Sequence, residues 1–269
     1  MTPWYAALVA LFVWWFSTGL ILMMVKRADQ NGPTARQNAT LASVPLLAAG
    51  ILGFWWSLPE ENLLGVYIAF LSALAIWGWI EISFLTGVIT GPSRASSKGA
   101  TSQGDRFWQA FATVAYHELL LAAVLVALFA LAQDAPNIFG KWTFAILFFA
   151  RISAKLNLFL GVPRVHTDFL PQALEHLQSH FGPRRMSWLF PISVTGLTAA
   201  IFCWVHLLLT TQAAYKVEGF ALLTALTALA LLEHWVMVLP IPDERLWRWM
   251  LPTPKPTQDQ KTQGGHHGL

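Results

Sequence analysis

The sequence contains little charge and almost no cysteine. Charged residues make up 12% of its 269 residues, whereas soluble globular domains carry about a quarter. The one cysteine, Cys203, excludes a disulfide within the chain and any zinc or iron–sulfur site built from several cysteines. Gly-rich phosphate loops, nucleophile elbows and dinucleotide-binding fingerprints are missing, as are long basic runs. These absences exclude the common soluble enzyme classes and give no reason to expect nucleic acid as a partner.

Long apolar runs take the place of those motifs. Hydrophobic residues make up 55% of the chain, which also has 14 tryptophans, a residue that concentrates at the two membrane–water interfaces. Runs of roughly 19–25 apolar residues can each cross about 30 Å of hydrocarbon. They predict an all-α polytopic membrane protein with one domain, residues 1–250, in the lipid bilayer. The seven predicted spans lie near residues 4–25, 40–58, 63–89, 107–132, 138–160, 188–210 and 218–239.

The distribution of lysine and arginine indicates the orientation. These residues cluster after the predicted first, third and fifth spans and in the C-terminal segment, while the opposite loops carry only Lys141 and Lys216. By the positive-inside rule, this asymmetry predicts a periplasmic N-terminus and a cytoplasmic C-terminus in the cytoplasmic (inner) membrane.

Two segments are expected to lie outside the bilayer core. Residues 170–181 predict an interfacial helix, because Leu170, Leu174, Leu177 and Phe181 share one helical face. Residues 251–269 are rich in Pro, Gln and Gly and predict a disordered cytoplasmic tail.

Ionisable side chains inside the predicted spans are the main candidates for function, because charge is costly in hydrocarbon and usually marks a ligand or ion pathway. With a rise of about 1.5 Å per residue, these side chains are expected some 10–17 Å inside the cytoplasmic boundary. We call this predicted set, with one amide, the polar layer. It comprises Glu81, His117, Glu118, Arg151, Lys155, Asn157, Glu233 and His234.

One interpretation of the polar layer is a set of buried ion pairs that fixes the register of the helices. Charges at one depth can pair and so offset much of their desolvation cost. The expected partner of Arg151 is then Glu118. The expected partner of Lys155 is Glu81 or Glu233.

Two further interpretations give the polar layer a chemical role. In a ligand site, a cation recognises a carboxylate, and His117 or His234 reaches a metal or the magnesium of a pigment. In a metal centre, carboxylates and histidines support hydrolytic or oxidative chemistry. Against the metal centre, neither His117–Glu118 nor Glu233–His234 has the spacing that places two ligands on one helical face. The sequence leaves these alternatives open.

A pair of histidines lies in the predicted interfacial helix. His176 and His180 are four residues apart, a spacing that can hold a metal on an α-helix. A solvated amphipathic face is the simpler interpretation of this pair, and we prefer it.

Several segments together resemble the PuhE family of photosynthetic complex assembly proteins. The resemblance runs from Trp14 to Trp249 and is carried by unusual strings in the correct order. These strings are LFVWWFSTGLIL, WGWIEISFLTGVITGP, YHELLL, SAKLNLFLGVPR, FLPQALEHLQSHF, LFPISV and LLEHWVMVLPIP. The resemblance implies a seven-span membrane protein of purple phototrophic bacteria, encoded beside the reaction-centre H subunit.

The same resemblance implies a process rather than a catalytic residue. The family is associated with assembly of the reaction centre and light-harvesting complex and with bacteriochlorophyll supply. The leading hypothesis is therefore a non-enzymatic assembly factor that handles bacteriochlorophyll or a precursor. Its implied partners are reaction-centre or light-harvesting subunits and other assembly factors, in the inner or intracytoplasmic photosynthetic membrane. The alternative is an enzyme, or enzyme subunit, of late bacteriochlorophyll synthesis that uses the carboxylate–histidine layer.

Overall fold

The computed structural model describes residues 3–96, 102–165 and 170–239, and these ranges contain helices and no strand. The α-helices are α1 (Pro3–Gln30), α2 (Pro33–Ala42), α3 (Val44–Ser57), α4 (Leu63–Leu85), α5 (Gln103–Leu131), α6 (Phe139–Leu160), α7 (Leu189–Thr210) and α8 (Ala214–Val236), with a 3-10 helix at Gln172–His180. With α2 and α3 counted as one span, seven helices are long and apolar enough to cross a membrane. The predicted all-α class and the number of spans are confirmed. The predicted tail, residues 251–269, lies outside the described residues.

The most buried helices of the bundle are α4 and α8. Val66 and Phe70 of α4 pack with Leu222 and Leu223 of α8, and Phe139 of α6 joins the same core. Around it, α3 packs on α4, α4 on α6, α6 on α8, and α8 on both α1 and α7. In lipid, such contacts depend on close packing rather than on exclusion of water.

The second span consists of two consecutive helices. It begins at Pro33, ahead of the predicted boundary at residue 40, and is divided at Ser43 into α2 and α3. Gly32 supplies the positive φ of 88° before Pro33, and a proline in the first turn of a helix loses no hydrogen bond. Pro45 is placed in the same way in α3. Near the division, Thr40 of α2 is hydrogen-bonded to Thr86, with 2.8 Å between the two hydroxyl oxygens.

Helix α4 ends earlier than the sequence predicts. The expected span to residue 89 stops at Leu85, where Gly87 takes a φ of 77°. The backbone N–H of Gly87 donates to Phe84 and that of Val88 donates to Ser83. These two hydrogen bonds, together with a glycine in the left-handed conformation, form a Schellman motif, which ends a helix even inside an apolar run.

Beyond α4 the chain continues as irregular backbone along α5. The backbone N–H of His117 donates to the carbonyl of Thr90 at 3.0 Å, and that of Ser93 donates to the carbonyl of Ala112 at 3.2 Å. Non-helical backbone at membrane depth is tolerated only where protein satisfies it. Residues 86–96, which we call the inner segment, therefore depend on α5.

The loops after α1, α4 and α6 meet at one end of the bundle, which we call the basic end. Arg106 donates to the carbonyls of Phe159 and His180, at 2.7 and 3.2 Å. The backbone N–H of Gln172, in the 3-10 helix, donates to the carboxylate of Asp29 at 3.1 Å. The predicted interfacial segment is thus held against the end of α1 and the start of α5.

Candidate functional site

A buried ion pair joins α4 to α6. Glu81 lies one turn before the end of α4 and is 8% exposed. The Arg151 guanidinium donates to Glu81 Oε2 at 2.8 Å. Since α4 packs on α6, the pair bridges two neighbouring helices of the bundle.

A second ion pair lies one turn further along α6. The Lys155 ammonium donates to Glu118 Oε1 on α5. The pairings expected from depth, Arg151 with Glu118 and Lys155 with Glu81 or Glu233, are therefore wrong. Depth placed the charges at one level, but the packing of α4 and α5 around α6 decides which carboxylate each cation meets.

His117 lies between the two carboxylates. Its Nε2 is 3.8 Å from Glu81 Oε1 and 3.9 Å from Glu118 Oε1, too far for a direct hydrogen bond. The ring is fully buried, with no hydrogen-bond partner on either nitrogen, and its centroid is 4.2 Å from that of Phe84. Lys155 also faces the Phe84 ring, 4.6 Å from its centroid.

We call five of these residues the charged cluster: Glu81, His117, Glu118, Arg151 and Lys155. Two carboxylates face two cations, so the cluster is balanced when His117 is neutral. A balanced cluster lowers the cost of holding charge in a low-dielectric interior. A divalent metal would add two uncompensated charges, and within the described residues no three His, Cys, Asp or Glu side chains form a metal-binding group.

A large cleft opens beside the charged cluster. Its volume is about 870 Å³, and residues of α1, α3, α4, α6 and α8 line it. Most of the lining is apolar, and among the described residues its ionisable groups are Glu81, Arg151 and Glu233. The indole Nε1 of Trp14 donates to Glu233 Oε1 at 3.0 Å. Glu233 thus belongs to the cleft, and Glu81 and Arg151 belong to both the cleft and the charged cluster.

The last two residues of the predicted polar layer lie elsewhere. The Nδ1 of His234 lies 2.8 Å from the carbonyl of Ala230, and its Nε2 lies 2.9 Å from the Ser153 hydroxyl. Both ring nitrogens are engaged, which leaves none to ligate a metal. Asn157 accepts from Ser187 at 2.9 Å and donates to Ser193 at 2.8 Å. These side chains join α6 to its neighbours and do not line the cleft.

Two contributors to the site, Trp14 and Phe84, were not among the predicted site residues, nor was one buried carboxylate that lies outside the site. Glu218, at the edge of a predicted span, is 1% exposed and accepts from the Tyr67 hydroxyl at 3.0 Å. Glu218 could have been found from the sequence, because it is an acidic residue beside a long apolar run. Trp14 and Phe84 have no such distinguishing feature.

The candidate metal pair His176 and His180 lies in a 3-10 helix. With about three residues per turn, residues four apart point about 120° from each other. The Nε2 of His180 lies 3.1 Å from the carbonyl of Ala95. This geometry favours a structural role, and we do not propose a metal here.

His176 makes the 3-10 helix sensitive to acid. Its burial, then His180 and then Arg94 lower its pKa below the usual value. The folded segment therefore holds the neutral ring, and stability falls as pH drops below about 6.5, where the unfolded chain gains a proton first. The protection factors of the amides across residues 172–180, that is, their exchange rates relative to the intrinsic rate at each pH, are expected to fall between about pH 7.5 and 5.5. His176→Gln should remove most of the difference, and equal protection factors in wild type at both pH values would contradict this.

The fold and site define a class: a polytopic helical membrane protein with a charged cluster at the wall of an apolar cleft. The chain belongs to the family described as "Protein of unknown function (DUF3623)", whose sequence model matches residues 1–258. It is 49% identical over 251 residues to the "Uncharacterized 30.4 kDa protein in puhA 5'region" of Rhodobacter capsulatus, covering 93% of this chain and 92% of the relative. No solved structure matches.

Proposed function

We propose that the protein is a PuhE-type membrane factor for assembly of the bacterial photosynthetic reaction centre and light-harvesting complex, and that it handles bacteriochlorophyll. The name of the Rhodobacter capsulatus relative, which refers to the region 5' of puhA, agrees with the process that the resemblance implies. The main support for bacteriochlorophyll handling is the cleft with the charged cluster at its wall. The protein lies in the inner or intracytoplasmic membrane with its basic end in the cytoplasm, an orientation supported by the positive-inside rule.

The cleft fits a pigment by size and by lining. Small-molecule sites measure about 300–1,000 Å³ and are mostly apolar with a few placed polar groups, and this cleft has about 870 Å³. Arg151 lines the cleft with a side chain that is 34% exposed, and its bond to Glu81 uses only Nη2, so the guanidinium has donor capacity left for a ligand oxygen.

The expected role of histidine needs revision. Neither His117 nor His234 is among the residues that line the cleft. Of the two carboxylates in the described lining, Glu81 is paired with Arg151, which leaves Glu233 as the carboxylate available to the magnesium of a pigment. The polar contact that we propose for the pigment is therefore Arg151 to a carbonyl, and Lys155 stays with Glu118.

Gly78 provides the test of the cleft. A Cβ at this position would be 3.6 Å from Ile21 and 3.9 Å from Leu46, so alanine fits, whereas leucine would fill the space between α4 and the facing helices. In a phototrophic host, Gly78→Leu is expected to lower the bacteriochlorophyll that copurifies by about tenfold. Membrane absorbance should show a parallel loss of complex.

Two controls belong to this experiment. Gly78→Ala should retain pigment, and Gly196→Leu makes the same change where nothing lies within 4 Å. A wild-type protein without pigment absorbance, together with normal complexes in Gly78→Leu, would contradict the proposal. A deletion strain that accumulates one defined biosynthetic intermediate would instead support the enzyme alternative.

A further inference from the structure

The helices around the cleft form an incomplete ring. Contacts connect α3 to α4, α4 to α6, α6 to α8 and α8 to α1, and α4 also contacts α1 and α8 directly. The remaining neighbours, α1 and α3, are connected through α2, and their described residues make at most marginal contact with each other. The ring is therefore open between α1 and α3.

Exposure along the lining agrees with this opening. Phe16 of α1 is 43% exposed and Leu46 of α3 is 42% exposed, although both line the cleft. On the far wall, Leu226 is 2% exposed and Ala230 is 8% exposed. Since α1 and α3 belong to helices long and apolar enough to span the membrane, the opening faces hydrocarbon. A ligand that uses it must be dissolved in the bilayer.

The polar wall of the cleft limits the charge of that ligand. Among the described residues, its ionisable lining groups are Glu81, Arg151 and Glu233, and the single cation, Arg151, is already paired with Glu81. An anionic head group would therefore bring an uncompensated charge into a low-dielectric site, beside two carboxyl groups. A neutral head group with an acceptor oxygen can meet the exposed part of the Arg151 side chain without that cost.

We infer that the cleft takes a neutral, long-chain amphiphile from the bilayer through the opening between α1 and α3. The head group lies against Arg151, and the apolar chain extends toward the opening. This deepens the proposed function, on which it rests for the natural ligand: an esterified pigment has this chemistry, whereas a precursor with a free propionate does not.

Two adjacent alanines of α3 give a matched test. Ala49 lines the cleft and Ala48 does not, and both are exposed. The full-length protein is reconstituted in phosphatidylcholine vesicles with hexadecanol that carries a photoreactive diazirine in its chain. After illumination, mass spectrometry measures label on the cleft face of α8 relative to the exposed face of α7.

Ala49→Trp is expected to lower this labelling ratio by about tenfold, whereas Ala48→Trp should leave it near the wild-type value. The corresponding hexadecanoic acid should give a lower ratio than the alcohol. In the unaltered protein, excess unlabelled hexadecanol should protect α8 and not α7. This measurement needs no variant and so does not depend on folding of Ala49→Trp.

The outcomes separate the two proposals. Any of three results would overturn the inference. These are equal labelling ratios in the two tryptophan variants, hexadecanoic acid that labels α8 as well as hexadecanol does, and no protection of α8 by unlabelled hexadecanol. Bacteriochlorophyll that still copurifies with Ala49→Trp would also overturn the route while leaving the pigment function in place. Normal alcohol labelling in a protein that never carries pigment would support the route and contradict the proposed function.

Discussion

Replacement of Arg151 by methionine is expected to lower the free energy of unfolding by about 3 kcal/mol. Removing one partner leaves Glu81 as a buried carboxylate without its cation, and such changes cost about 3–5 kcal/mol. We expect the lower end of this range of about 3–5 kcal/mol, because the Arg151 side chain is 34% exposed and so only partly desolvated. The Glu81 side chain is only 10% exposed. The loss thus comes mainly from the stranded carboxylate.

The double variant Glu81→Leu/Arg151→Met should recover most of that loss. Well-packed apolar residues in place of a buried ion pair are often neutral or stabilising, because neither charge then has to be desolvated. Denaturant unfolding in detergent micelles, run as a double-mutant cycle, measures the coupling. Arg185→Met, in an exposed loop, is the control.

The same cycle distinguishes a structural pair from a functional one. If the stable double variant still assembles complexes, the pair serves only to hold α4 on α6. If it is stable but loses pigment, Arg151 acts on the ligand. A single Arg151→Met variant as stable as Arg185→Met would show that the pair contributes little to stability.

Replacement of Gly91 by alanine is expected to cost a similar amount, about 3 kcal/mol, because overpacking against backbone cannot relax by a side-chain rotation. A Cβ on Gly91 would lie 2.6 Å from the carbonyl carbon of Thr113 and 2.8 Å from its oxygen. The inner segment would have to move away from α5, and the bond from the His117 N–H to Thr90 would lengthen. His117 would then shift from its position between Glu81 and Glu118 in the charged cluster.

Thermal unfolding and exchange of the His117 amide measure this effect. Gly196→Ala is the matched control, since nothing lies within 4 Å of its added methyl group and alanine favours a helix interior. The interpretation fails if Gly91→Ala unfolds like Gly196→Ala and the His117 amide remains equally protected.

The number of spans could be predicted because it depends on the length of apolar runs, which the bilayer thickness selects. The end of α4 could not, because Thr86-Gly87 stops a helix by backbone geometry while the residues that follow stay apolar. Similarly, Pro33 reads as a breaker in a polar stretch, yet it starts α2. Local conformation, rather than hydropathy, decides both boundaries.

The members of the candidate site were easier to predict than their partners. Charges in apolar helices stand out, so Glu81, Arg151 and Lys155 were found from the sequence. Their pairing depends on which helices are neighbours, and one sequence does not encode that order in any local signal. The cleft was invisible for the same reason, since it arises where α1 and α3 fail to meet.

The inner segment has a consequence for how the chain enters the membrane. Thr90 and Ser93 precede α5 in the sequence, so their peptide groups emerge during synthesis before the helix that will bond them. In hydrocarbon, an unbonded peptide group costs several kcal/mol. The inner segment therefore has no stable place in lipid until α5 arrives, and α4 and α5 are expected to leave the insertion machinery together, as a hairpin.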